Sequence, residues 1–206
     1  MGNIAWGVPL DARGEYAGTF WTLLRPYPIL LGITTVSLFM MHGAIYAVMK
    51  TEGELHTKLR SWINQCIILF VVCYAITTMA TLLYVPHMAA RVRANPWLFS
   101  IALLNMLAIA NIPREIFHGR DWRAFVSSCV AMISLMALFG LEMYPNLVFS
   151  WSDPANSLTI HNAASSQKTL GIMLTIALIG VPVVLAYTVS IYWIFRGKVK
   201  LDKMSY

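Results

Sequence analysis

Residues 62–85 read WINQCIILFVVCYAITTMATLLYV, 24 residues without an Asp, Glu, Lys, Arg or His. A helix rises about 1.5 Å per residue, so this run exceeds a hydrocarbon layer about 30 Å thick. Four more apolar runs flank it. They are Ile29–Met49, Trp97–Ile112, Ala124–Met143 and Leu170–Phe195, of 21, 16, 20 and 26 residues. Three of these also cross a bilayer by length. Trp97–Ile112 reaches only about 24 Å. It reads as a short span, as one that borrows flanking residues, or as a re-entrant segment. Residues 1–206 thus read as a single membrane domain, an all-α polytopic transmembrane helix bundle of about five spans.

Composition agrees. The chain is 58% hydrophobic and 12% charged, against roughly 25% charged residues in a soluble domain. The net charge of +6 would suit nucleic acid, but the charges sit at span ends, where Lys and Arg orient a membrane protein. One side holds Lys50, Lys58, Arg60, Arg114, Arg120, Arg123, Arg196, Lys198, Lys200 and Lys203. The other holds Arg13, Arg25, Arg91, Arg93 and Lys168. This asymmetry places the first set, with the C-terminus, in the cytoplasm and the N-terminus outside, provided the third run crosses fully.

The connections follow from Pro, Asn and aromatic residues. Residues 1–28 lack the apolar core of a signal peptide. They carry Trp6, Tyr16, Trp21 and Tyr27, which suit the headgroup zone. Pro26 and Pro28 open the first helix, and Lys50–Glu54 closes it and begins a short loop. Pro86 closes the second span. Asn95-Pro96 reads as an N-cap and first-turn proline for the third. Pro113 is expected to end that third helix, leaving Arg114–Arg123 as a polar turn. Tyr144–Thr169 is the longest connection, with Pro145, Pro154, Asn156 and Ser157 marking irregular structure. Pro182 is expected to kink the last span.

Chemistry is sparse. His42 is the one Asp, Glu, Lys, Arg or His expected well inside a span, and it is the weak candidate for a cofactor ligand. A bis-histidine haem needs two histidines at similar depth on facing helices. His42 lies about 20 Å from the outer end of its run, whereas His87 falls just past the outer end of the second. His56, His118 and His161 fall in loops. The plainer reading of His42-Gly43-Ala44 is a close helix contact with one interhelical hydrogen bond. Asn105 and Asn111 in the third run read first as helix-to-helix hydrogen bonds. Thr77, Thr78 and Thr81, then Ser127, Ser128, Ala131 and Ser134, then Gly171, Thr175 and Gly180 mark close packing. Glu142 sits at the outer end of the fourth span. Cys66 and Cys73 share a helix face, yet read as packing residues, because no metal-ligand spacing or disulfide framework accompanies them. No P-loop, nucleophile elbow or H-E-x-x-H is present. No catalytic residue, no metal site and no cofactor bound by this chain itself are expected.

Several longer words carry a resemblance. They include Gly2-Asn3-Ile4-Ala5-Trp6-Gly7-Val8-Pro9, Trp21-Thr22-Leu23-Leu24-Arg25-Pro26-Tyr27-Pro28 and His42-Gly43-Ala44-Ile45-Tyr46 running on to Lys50-Thr51-Glu52-Gly53. Asn156-Ser157-Leu158-Thr159-Ile160, Pro182-Val183-Val184-Leu185 and Tyr192-Trp193-Ile194-Phe195-Arg196-Gly197-Lys198 complete the set. From residue 2 to about 200 the chain resembles subunit II of the cytochrome bd quinol oxidase family. The resemblance implies a bacterial inner-membrane complex that oxidises ubiquinol or menaquinol and reduces dioxygen to water. It implies that haems b and d lie in a partner, subunit I, and that subunit II supports it and in some members holds a structural quinone. It also implies nine spans, two four-helix bundles and a peripheral helix. This chain shows five. It is therefore expected to be a C-terminal part of subunit II, a truncated, split or partial gene product, with the first four helices absent. A transporter fragment with broken helices at Pro182, Asn105 and Asn111 is one alternative, and a non-functional truncated product is another.

Overall fold

A computed structural model describes residues 1–198. Lys200 and Lys203, counted above on the C-terminal side, lie outside the described residues. Helix α1 spans Gly2–Trp6, α2 Pro26–Lys50, α3 Gly53–Tyr84, α4 Ala90–Ala94, α5 Phe99–Phe117, α6 Asp121–Met143 and α7 Gln167–Ile194. Two short antiparallel strands, β1 (Asn146–Val148) and β2 (Leu158–Thr159), join within the long connection between α6 and α7. Helices α2, α3, α6 and α7, and α5 with the 3-10 turn that leads into it at Pro96, are long and apolar enough to cross a membrane.

Three expectations need correction. Pro113 does not end the third span. The helix continues to Phe117, and from Pro96 it is 22 residues long, about 33 Å. Proline removes one backbone donor, freeing the carbonyl four residues earlier, and apolar helices tolerate this when neighbours pack around them. The turn expected at Arg114–Arg123 shrinks to His118–Arg120, with Gly119 in the left-handed region at φ 70°. The loop expected before Trp62 is also helical, because α3 begins at Gly53. Only Thr51 and Glu52 separate α2 from α3, and Gly53 at φ 71° allows the reversal. The hydropathy of Leu55–Ser61 is too low for a span, so these turns extend α3 beyond the apolar layer.

Helices α2, α3, α5 and α6 form a four-helix bundle. Its core is Met41, Ile45 and Val48 of α2, Ile63, Ile67 and Phe70 of α3, Ala108, Ile109, Ile112 and Ile116 of α5, and Ala124 and Ala131 of α6. The spacing is that of one helix face per element. Outward faces carry large apolar side chains such as Ile68, Leu83, Met106 and Ile133. This inverted surface suits lipid as solvent. Helix α7 has no buried residue. Its described polar ties are near one end, where Lys50 Nζ donates to the Phe195 and Gly197 carbonyls at 3.4 Å and Lys198 meets Glu52 at 3.5 Å.

The end of the bundle beside α1 is capped by a folded layer. Val8 N–H donates to the Phe149 carbonyl at 2.9 Å. The Leu10 carbonyl accepts from Ser152 Oγ at 3.1 Å and Asn156 Nδ2 at 3.3 Å. Arg25 lies between Trp6 and Trp151, its guanidinium carbon 5.8 and 4.8 Å from the two ring centres. The segment before α2 is therefore more than an interfacial strip, because it is stitched to the 144–160 connection.

Candidate functional site: the polar girdle of the bundle

Inside lipid, a polar side chain must find a partner within the protein. Here the partners lie across each of the four helix interfaces. Between α2 and α3, Thr34 and Thr77 hydroxyls meet at 2.6 Å. Nearer the start of α2, Tyr27 and Thr81 meet at 3.0 Å. Between α3 and α5, Tyr74 O–H donates to Asn105 Oδ1 at 3.0 Å. Between α5 and α6, Asn105 Nδ2 donates to the Ala131 carbonyl at 2.9 Å. Asn111 Nδ2 adds a second bond there, to Ser127 Oγ at 2.9 Å. Between α6 and α2, His42 and Ser128 meet at 2.8 Å.

The His42 bond has a defined direction. Ser128 has one hydroxyl proton, and it goes to the Phe125 carbonyl at 2.7 Å. Ser128 Oγ must then accept from His42 Nδ1–H. The imidazole also stacks on Phe125, with ring centres 4.9 Å apart. His42 is therefore held by α6 on two sides. Gly43 takes no part in a close contact, since nothing lies within 4 Å of where its Cβ would be.

The residues do not fit an intrinsic bis-histidine haem. His42 lies 16 residues into α2 from Pro26, about 24 Å from its start, with Ser128 and Phe125 rather than a second imidazole across the interface. His87 lies beyond the end of α3, where its Nε2 donates to the Ala5 carbonyl at 2.8 Å and its ring stacks on Phe149 at 4.2 Å. Cys73 is buried and Cys66 half-buried, both as free thiols. Among the described residues no group of three His, Cys, Asp or Glu is placed to hold a metal ion.

Two charged clusters bound the girdle. At the end beside α1 the Glu142 carboxylate accepts the N–H groups of Val92 at 2.8 Å and Arg91 at 3.0 Å. Arg91 Nη2 returns a bond to the Tyr144 carbonyl at 2.9 Å. At the opposite end Arg60 donates to Asp121 at 2.9 Å and to the Ile116 carbonyl at 2.8 Å. One guanidinium thus ties α3 to the end of α5 and the start of α6. Glu115 is buried there, with Arg114 at 4.0 Å and Arg120 at 3.9 Å, and its Oε2 has no hydrogen-bond partner. Treating Pro113 as a helix end hid Glu115. The stripe Asn105, Ala108, Ile112, Glu115 would have exposed it, since those offsets keep one helix face.

The arrangement holds four helices together. Comparison with known proteins fits such a bundle. The sequence matches the family described as cytochrome bd terminal oxidase subunit II over residues 1–195. The chain belongs to the cytochrome bd terminal oxidase subunit II family. It is 30% identical to the cytochrome bd-I ubiquinol oxidase subunit 2 of Escherichia coli K12, over 97% of this chain and 60% of that protein. It is 27% identical to a probable cytochrome oxidase subunit 2 of Haemophilus influenzae, over 93% and 58%. It is 26% identical to the cytochrome bd ubiquinol oxidase subunit 2 of Bacillus subtilis, over 94% and 56%. The chain thus spans about 60% of the length of the first of these relatives. Family and spans together make it a multi-pass inner-membrane protein.

Proposed function

We propose that this chain serves as a non-catalytic subunit II of a cytochrome bd-type terminal quinol oxidase. It would brace a subunit I that carries haems b and d, while the complex oxidises quinol and reduces dioxygen to water in aerobic respiration. The observation that carries the reading is the family match over residues 1–195. The bundle supports it, because its buried polar side chains are spent mainly on one another. Five spans correspond to the C-terminal bundle and peripheral helix of the nine-span subunit. A helix such as α7, with every described residue at least partly exposed, suits the peripheral place. The charge asymmetry supports a cytoplasmic C-terminus. A structural quinone would belong to the assembled complex.

The transporter reading loses its markers. Helices α5 and α7 run through Pro113 and Pro182 without a break, and Asn105 and Asn111 are engaged in helix contacts. Affinity purification of the tagged chain from its native membranes in mild detergent tests the proposal. It should bring down a larger haem-bearing protein, and the complex should consume oxygen with a short-chain quinol. Recovery of the chain without that partner, from membranes with active oxidase, would refute it.

A further inference from the structure

A groove of about 490 Å³ runs along the outer seam of α5 and α6. Leu104, Leu107, Asn111 and Arg114 form one stripe of α5 along it, at successive three- and four-residue steps. Val126 and Val130 of α6 face them, and Ser127 lies at the floor. Polarity changes along its length. One end is lined by Leu104, Leu107 and Val130. The end near the Arg60–Asp121 cluster carries Arg114, Asn111 and Ser127. From Leu104 to Arg114 is about 15 Å along the helix.

Arg114 is held at that mouth. Its Nη1 donates to Asn111 Oδ1 at 3.3 Å, and Asn111 in turn donates to Ser127. The Arg114 side chain is still 67% exposed. Its one acidic neighbour, Glu115, lies on the inner face of α5 and is also approached by Arg120. Asp121 is engaged by Arg60. The mouth therefore keeps a positive charge at headgroup depth, above an apolar slot aligned with the helices. Basic pockets between transmembrane helices suit anionic headgroups.

We propose that this groove is a binding site for an anionic glycerophospholipid, its phosphate on Arg114 and one acyl chain along Leu104, Leu107 and Val130. The site is independent of the oxidase reading. It depends on the polarity gradient of one seam.

Native mass spectrometry of the full chain, in whatever complex it purifies with, tests this during titration with dioleoyl phosphatidylglycerol or dioleoyl phosphatidylcholine. The wild type should retain the anionic lipid preferentially. Arg114→Gln should weaken phosphatidylglycerol binding about fivefold, the effect of one basic contact at the membrane surface, and should erase the preference over phosphatidylcholine. Ala110→Phe, which fills the groove from an exposed position, should weaken both lipids. Arg123→Gln removes the same charge outside the groove and should change neither. Far-ultraviolet circular dichroism identifies any variant that fails to fold, and the other groove variant then decides. Equal affinity for the two lipids in the wild type overturns the proposal. So does equal loss in Arg123→Gln and Arg114→Gln, or density for a protein helix seated in the groove.

Discussion

Replacing Asn105 by Leu tests the girdle at its most connected point. Asn105 is fully buried and joins three helices through two bonds, from Tyr74 O–H at 3.0 Å and to the Ala131 carbonyl at 2.9 Å. Leucine keeps the branched shape and is larger, so no cavity opens. Loss of the amide removes both bonds and leaves the Tyr74 hydroxyl in an apolar interior. Interhelical hydrogen bonds in membranes average about 0.6 kcal/mol and reach about 1.7. Two of them, with partial recovery by local rearrangement, give an expected loss of about 1–2 kcal/mol. Unfolding in dodecyl maltoside against increasing sodium dodecyl sulfate reads this directly. Tyr74→Phe and the Asn105→Leu/Tyr74→Phe pair complete a cycle whose coupling should be about 0.6 kcal/mol. If Asn105→Leu matches or exceeds wild-type stability, the girdle is not what joins α3, α5 and α6.

Other perturbations separate the parts of the structure. His42→Leu should lower stability by about 0.6–1.7 kcal/mol through loss of the Ser128 bond, with haem absorbance of the purified complex unchanged; a lost haem band would make His42 a ligand. Glu142→Ala should release the Arg91 and Val92 N–H groups, so that trypsin cleaves after Arg91 or Arg93 faster than in wild type. Glu142→Gln, which keeps one acceptor oxygen, should fall between the two in the same digestion time course. Arg60→Gln should cost about 1 kcal/mol, because the Asp121 pair is partly solvated. The gap from wild type should narrow in high salt, as measured by the same detergent unfolding.

Much of this architecture is readable from apolar run length alone. Trp62–Val85 cannot be anything but a span once its 24 uncharged residues are counted against the bilayer. The polar pairings were half legible. Asn105, Asn111 and His42 stand out as rare polar groups among apolar ones, and a lipid-facing position would be costly, so helix contacts follow. Their partners were harder. Tyr74 looks like any aromatic of a span, and Ala131 contributes a backbone carbonyl that side-chain type does not advertise. Helix ends were least legible. Pro113 looks like a stop because its effect is local, while the packing of Ile112, Glu115 and Ile116 that overrides it is tertiary. The layer beside α1 was hidden for a similar reason. Val8 meets Ser150 across 142 residues, and no short-range pattern records such a pairing.

The central claim is that this bundle braces a haem-bearing neighbour and holds no haem itself. The most direct measurement is the optical spectrum of the chain after dissociation from its purified complex under conditions that preserve helicity. The account predicts that the Soret band and the haem b and d bands all leave with the partner subunit. A stoichiometric haem band remaining on this chain would contradict it.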